Sequence, residues 1–233
     1  GADPLTAEDI LELDEYCIKR HIELVPSLSS FGHMYMILSS KSYSNLCELE
    51  NSDDADKPYS WIGRMLHHTL DVSNPESIEF VGEMLDEFIP LFSSDKFNIC
   101  GDETFDLGEG KNKELAEKIK QIISLGICLN WDYSAEPEED RIKAIADTGL
   151  TQYVCPGVGG WNHLMNDFDS SYSNIKNMVN YGKKYNAAGV LNTNWGDYGN
   201  INLLGNSIPG MIYGASLSWN PDYNKDFSTV DKE

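Results

Sequence analysis

The adjacent carboxylates Asp102 and Glu103 follow directly on the apolar run Phe97-Asn98-Ile99-Cys100 and on Gly101. Paired acids can divide labour: one carboxyl gives and takes a proton while its neighbour stays anionic and steadies developing positive charge. Successive side chains of a regular strand point to opposite faces. Both acids can therefore serve one reaction only if the strand ends or kinks here, which Gly101 would allow. His33 closes the run Ser27-Leu28-Ser29-Ser30-Phe31-Gly32-His33, where it is either a functional or a purely structural histidine. Trp131, Trp161 and Trp195 each stand beside polar residues at the end of an apolar run, in Trp131-Asp132-Tyr133, Trp161-Asn162 and Trp195-Gly196-Asp197. Rings at such places either wall a ligand pocket or belong to the core. Tyr133 and Tyr153 add phenolic hydroxyls, and Asp197 adds a further carboxylate or a turn residue.

The elements that must position these groups are legible as helix followed by strand. Thr6 reads as an N-cap, with Ile10, Leu11, Leu13, Tyr16, Cys17 and Ile18 forming an apolar stripe to about Arg20, and residues 21–26 read as a strand. A helix over 77–92 precedes the strand 97–100. Strand 127–131, helix 138–147 and strand 152–155 continue the scheme, as do a helix over 173–185 and strand 188–192. Strands joined by helices of this length predict parallel α/β packing, because a parallel crossover needs about a dozen residues. Chemistry-bearing residues collect at the carboxyl ends of the strands, where a (β/α)8 barrel or an open α/β sheet builds its site. The open sheet is disfavoured because no glycine-rich phosphate loop follows any strand. No linker rich in Gly, Ser or Pro interrupts the chain, so 1–233 reads as a single domain.

Composition narrows the partners. Apolar residues at 41% and charged residues at 24% are ordinary globular usage, so the chain is expected to fold. Seventeen Lys and Arg against 38 Asp and Glu leave a net charge of −21, which repels nucleic acid phosphates and anionic membrane surfaces. No apolar stretch approaches the roughly 18 to 20 residues of a bilayer span. The five cysteines are scattered, with no C-x-x-C pair, and read as reduced, mostly buried thiols in a cytoplasmic setting. The acidic run 48–56 lacks EF-hand spacing and reads as a solvated loop. Trp61 reads as loop packing, and Trp219 as a core residue of the final helix.

Taken in order, these motifs resemble the catalytic domain of the family 20 glycoside hydrolases, the β-N-acetylhexosaminidases. The family signature His-x-Gly-Gly-Asp-Glu is matched by Asn98-Ile99-Cys100-Gly101-Asp102-Glu103, with Asn for His and Cys for the first Gly. Residues 70–76 look like the family's third-strand end, and residues 26–33 look like its second-strand segment ending in Gly-His. In that segment Ser29 stands where many members carry a sugar-binding Asp. Trp195-Gly196-Asp197 is similar to the eighth-strand Trp-Gly-Glu, shortened by one methylene.

The resemblance covers roughly residues 5–220 and implies a (β/α)8 TIM barrel, incomplete over these residues. The first strand, with its substrate-binding Arg, is expected to precede Gly1. The fifth strand has no counterpart between Ile119 and Ile127, which reads either as omitted segments of a longer chain or as a true fragment lacking two of the eight strands. A complete barrel usually takes about 250 residues.

The resemblance also implies the chemistry. The substrate's own 2-acetamido oxygen attacks the anomeric carbon, so the protein supplies no nucleophile. Glu103 would protonate the leaving oxygen and then deprotonate water, while Asp102 would orient the acetamido group. His33, Trp131, Tyr153, Trp161, Trp195 and Asp197 would bind the sugar, with Tyr133 an equal candidate for the acetamido hydrogen bond. The reading expects terminal β-linked N-acetylhexosamine as substrate, with neither metal nor cofactor. A glycosidase with a protein carboxylate as nucleophile, and a non-catalytic sugar-binding barrel, remain the alternatives.

Overall fold

The computed structural model describes residues 4–49, 68–114, 126–197 and 201–222. The chain divides into two compact units, Gly1–Gln121 and Ile122–Glu233.

In the first unit, α1 (Ala7–Ile18) opens with a capping box in which the Thr6 hydroxyl accepts from Asp9 N–H and the Asp9 carboxylate accepts from Thr6 N–H. Its end is closed by His21, left-handed at φ 58°, with Ile22 N–H bonded to the Cys17 carbonyl. That turn consumes the start of the expected strand 21–26, which forms no strand. The expected apolar stripe is also largely solvent-facing: Leu11, Leu13, Tyr16 and Ile18 are exposed, while Cys17 and Asp14 are buried.

A short α2 (Tyr35–Leu38) leads, among the described residues, to α3 (Pro75–Phe88), started by the Asn74 side chain and Pro75. Phe80, Val81 and Met84 of α3 pack on the core of Met34, Leu38, Leu46, Cys47 and Leu70.

The expected strand 97–100 is reduced to one parallel bridge, Ser27 with Asn98. Asn98 N–H bonds to the Pro26 carbonyl at 2.9 Å, and Leu28 N–H to the Asn98 carbonyl at 3.1 Å. Residues 70–76 form no strand: Leu70 bridges antiparallel to Cys47, while its N–H bonds to the Phe31 carbonyl at 2.9 Å. Ser27 and Asn98 are thus direct neighbours, and the connection between their segments runs through α3.

The second unit follows its sequence pattern closely. Strands β1 (Cys128–Trp131), β2 (Gln152–Cys155) and β3 (Gly189–Val190) form a parallel sheet in the order β1-β2-β3. Helices α4 (Glu139–Asp147) and α5 (Phe168–Lys184) are the crossovers, and α6 (Ile208–Trp219) packs on α5.

Ile142, Val154 and Met178 form one core cluster, and Tyr172, Ile175, Val179, Tyr213 and Leu217 form another. Gly182 permits the close seating of α5 on β2, since a Cβ there would lie 2.8 Å from the Val154 side chain. Trp219 is not core: it is 92% exposed at the last turn of α6.

Cys17, Cys47 and Cys155 are buried, Cys100 and Cys128 half-buried, and all five are free thiols. No described helix is long and apolar enough to cross a membrane. Trp61 and the segment 115–125 lie outside the described residues, as does most of the acidic run 48–56.

Candidate active site

The acid pair sits on a strained turn. Cys100 (φ 47°) and Glu103 (φ 51°) are both left-handed, a conformation that non-glycine residues rarely adopt. Gly101 is not left-handed, so the kink expected there is made by the residues around it. Turning at Glu103 breaks the strand alternation and brings both carboxylates to one imidazole. His33 Nε2 lies 3.1 Å from Glu103 Oε2 and 3.4 Å from Asp102 Oδ2. Their side chains are about equally sheltered, at 31% exposure for His33, 39% for Asp102 and 29% for Glu103. His33 is itself left-handed at φ 55°. Three such residues around one cluster mark a place where the surrounding structure sustains strain, as functional sites often do.

A proton on Nε2 is shared with the acid pair, since a carboxylate can only accept. The ligand atoms of these three residues lie within 4.8 Å of one another, which would admit a cation, and a protonated His33 meets the same charge. Gly32 is required beneath the turn: a Cβ there would stand 2.6 Å from the Asp102 carbonyl oxygen.

Behind the turn lies a polar frame that the sequence reading missed. Glu48, expected in a solvated run, is fully buried. Its carboxylate accepts from the N–H groups of Gly108, Gly110 and Asn112 and from the Asn112 side-chain amide. Asn112 also donates to Asp71 at 2.8 Å, and Lys111 pairs with Asp71 at 3.5 Å. Burial by itself would raise the Asp71 pKa. Hydrogen bonds from the Ser73 hydroxyl, Asn112 and Ser73 N–H, with the Lys111 charge, outweigh it and hold the group below the usual carboxylate range.

In the second unit the aromatic residues gather around Tyr133. Trp131 stacks on it at 5.4 Å and 11°, and Trp161 meets it edge-on at 4.7 Å. Trp195 donates its indole N–H to the Tyr133 hydroxyl at 2.7 Å. Gly157 lies against this group, since a Cβ there would stand 2.6 Å from Trp161 and 2.9 Å from Tyr133. Tyr153 is not part of it. The Tyr153 ring lies over Gly189 of the neighbouring strand. Asp197 is exposed beyond Trp195.

Asn174 of α5, fully buried, fixes the strand ends that carry these rings. Its amide donates to the Asp132 and Ser134 carbonyls at 2.8 and 2.7 Å, and its oxygen accepts Gly157 N–H at 3.0 Å. An asparagine on the apolar stripe Tyr172, Ile175, Met178 was the available signal. Asn166 and Asn202 similarly hold the carbonyls of Val158 and Gly160.

Burial pushes the Cys155 thiol up to about 12, with Cys128 adding to the effect, so Cys155 stays protonated and offers no nucleophile. A separate concavity of about 500 Å³, lined by Ile18, His21, Ile22, Glu23 and residues 93–95, shares no residue with either group.

Residues 2–125, just over half of the chain, match the family model described as glycosyl hydrolase family 20, catalytic domain. Among solved structures, the chain is similar to a Flavobacterium johnsoniae chitobiase, with 17% identity and a TM-score of 0.55, covering 94% of this chain and 42% of that one. It is also similar to a glycoside hydrolase family 20 β-N-acetylglucosaminidase, with 16% identity and a TM-score of 0.57, covering 95% and 56%. The chain thus spans about half the length of these relatives, and the likeness is one of fold. Comparison with curated proteins gives no match.

Proposed function

Because this chain belongs to the family 20 glycoside hydrolases, we propose that the protein removes terminal β-linked N-acetylhexosamine with retention, the substrate's acetamido oxygen acting as nucleophile. The observation that carries this reading is the convergence of the Asp102 and Glu103 carboxylates on His33. Glu103 is the general acid and then the base. Asp102 stays anionic, accepts the acetamido N–H and offsets the charge of an oxazolinium-type intermediate. His33 couples the protons of the two.

Trp131, Trp161 and Trp195 supply apolar faces for a pyranose ring, and Asp197 takes sugar hydroxyls. Tyr133, oriented by its bond from Trp195, is assigned the acetamido oxygen in preference to Tyr153. The parallel order β1-β2-β3 with helical crossovers supports placing these elements in a (β/α)8 barrel that is incomplete over these residues.

The test is turnover of a chromogenic β-N-acetylhexosaminide by the full-length protein and by Glu103→Gln. Loss of the general acid is expected to lower kcat by about 10²- to 10⁴-fold. Equal rates in both would remove Glu103 from the acid role. Comparable turnover of a glycoside with a plain 2-hydroxyl would point instead to a protein nucleophile. Binding of the aminosugar without turnover would indicate a sugar-binding barrel.

A further inference from the structure

We infer that Glu48 is a positioning residue for the acid pair, acting through the segment 104–112 that follows Glu103. The inference rests on the reading of Asp102 and Glu103 as the catalytic acids.

The chain leaving Glu103 makes two tight turns, with Leu107 N–H on the Thr104 carbonyl and Glu109 N–H on the Asp106 carbonyl. These turns aim the alternate N–H groups of Gly108, Gly110 and Asn112 inward, and all three meet Glu48 Oε1 at 2.8–3.3 Å. Such a ring of backbone N–H groups is an anion-binding nest, and here the chain supplies its own anion. The sequence is fitted to it. Gly108 is left-handed at φ 83°, and Gly110 leaves room where a Cβ would strike the Glu48 carbonyl. That same carbonyl accepts Lys111 N–H at 3.2 Å.

Nearer the acids, Asp106 accepts Thr69 N–H at 3.3 Å, and Thr69 in turn accepts Glu48 N–H at 2.8 Å. The segment is therefore fastened at Asp106 to Thr69 and at 108–112 to the Glu48 carboxylate, two residues whose backbones are themselves hydrogen-bonded. On the other side of the acids, Gly32 abuts the Asp102 carbonyl and the Thr104 methyl. The left-handed turn at Glu103 lies between these two supports, and it needs them because it is strained.

The role is specific to a carboxylate. Glu48→Gln keeps the size but removes the charge and turns an amide NH2, a donor, toward the N–H groups that now donate to the carboxylate. In the full-length protein, hydrogen exchange of peptides spanning 100–112 is expected to quicken by about an order of magnitude in this variant. Per folded molecule, kcat on the chromogenic β-N-acetylhexosaminide should fall by about 10- to 100-fold while KM stays within about twofold, since misplaced acids slow the chemistry more than they weaken binding. A role confined to stability would lower Tm and leave kcat per folded molecule unchanged, and that result overturns the inference.

If Glu48→Gln does not fold, Asn112→Ala carries the same test, because it removes one of the four donors to Glu48, together with the bond to Asp71, and keeps the three backbone N–H groups. A fall in kcat at constant KM supports positioning, and an unchanged kcat overturns it. If the unsubstituted protein turns over no aminosugar glycoside, the reading of the acids fails and the inference with it. If that protein is active and Glu103→Gln is not, while Glu48→Gln matches the parent, only the inference fails.

Discussion

The two units differ in where buried carboxylates occur. Among the described residues, Asp14, Glu48, Asp71 and Asp106 are all buried in Gly1–Gln121, together with His68, Thr69, Ser77 and Asn112, whereas the polar residues buried in Ile122–Glu233 are the amides and hydroxyls of Asn130, Gln152, Asn166, Ser171, Asn174, Asn202 and Ser207. The difference follows from what each backbone leaves unsatisfied. Where the chain turns irregularly, as at 104–112, it presents N–H groups, and a carboxylate gathers several at once. Where regular strands end, as at Asp132, they present carbonyls as well as an N–H, and an amide can donate to the first and accept from the second, which a carboxylate cannot. A strained acid turn is thus braced by buried anions, while an aromatic group on a sheet is braced by side chains that do not titrate.

Among substitutions that leave both acids in the chain, the largest effect should come from Gly32→Ala, whose Cβ must displace the Asp102 carbonyl. A shift of about 1 Å in the acids is expected to cost about 100-fold in kcat. Gly101→Ala should stay within about twofold, since a Cβ there meets nothing within 4 Å and the residue is not left-handed. Kinetics of the two variants side by side decide whether the strain lies in the turn residues; equal damage would return it to Gly101.

Next in size is Asn174→Ala, which orphans two carbonyls and one N–H and should destabilise the protein by about 2–3 kcal/mol in urea unfolding. Asn174→Asp should be no better, because a carboxylate satisfies Gly157 and repels the Asp132 and Ser134 carbonyls. If Asn174→Asp is as stable as the parent, the contrast between the two frames is wrong.

The smallest effect is one of pH. Asp71 has a folded pKa below its unfolded value of about 3.9, so its stabilising contribution is fully present above that value and is lost as pH falls through the folded pKa. Acid should therefore loosen residues 68–112 before residues 128–193, seen by hydrogen exchange at stepped pH below about 4. Asp71→Asn should flatten that dependence, and an unchanged profile would remove Asp71 as its source.

Much of the second unit was legible in sequence because local pattern and tertiary role agree there. The apolar periods of 138–147 and 173–185 and the short runs at 127–131 and 152–155 became the elements expected, within one residue at the ends except that the second helix begins at Phe168, five residues early. The first unit was harder. Residues 21–26 have strand composition, yet His21 is spent in closing a helix. Residues 70–76 looked like a strand end, and there Leu70 makes a single antiparallel bridge with Cys47 and one bond to the Phe31 carbonyl rather than a ladder. Trp219 looked like core only because a large ring in an apolar run is usually buried.

Sequence alone fixed the identity and order of the chemical groups: an acid pair after a short apolar run, a Gly-His before it, and tryptophans where later runs end. Those are covalent facts and need no neighbour. Which tyrosine joins the tryptophans, where the strand kinks, and that Glu48 is an interior anion were decided by contacts between residues far apart in the chain. Glu48 and Asn112, or Tyr133 and Trp195, carry no mutual signal along the sequence. Only folding brings a donor to its acceptor, and it is that pairing, not the residue type, that determines whether a carboxylate faces water or the interior.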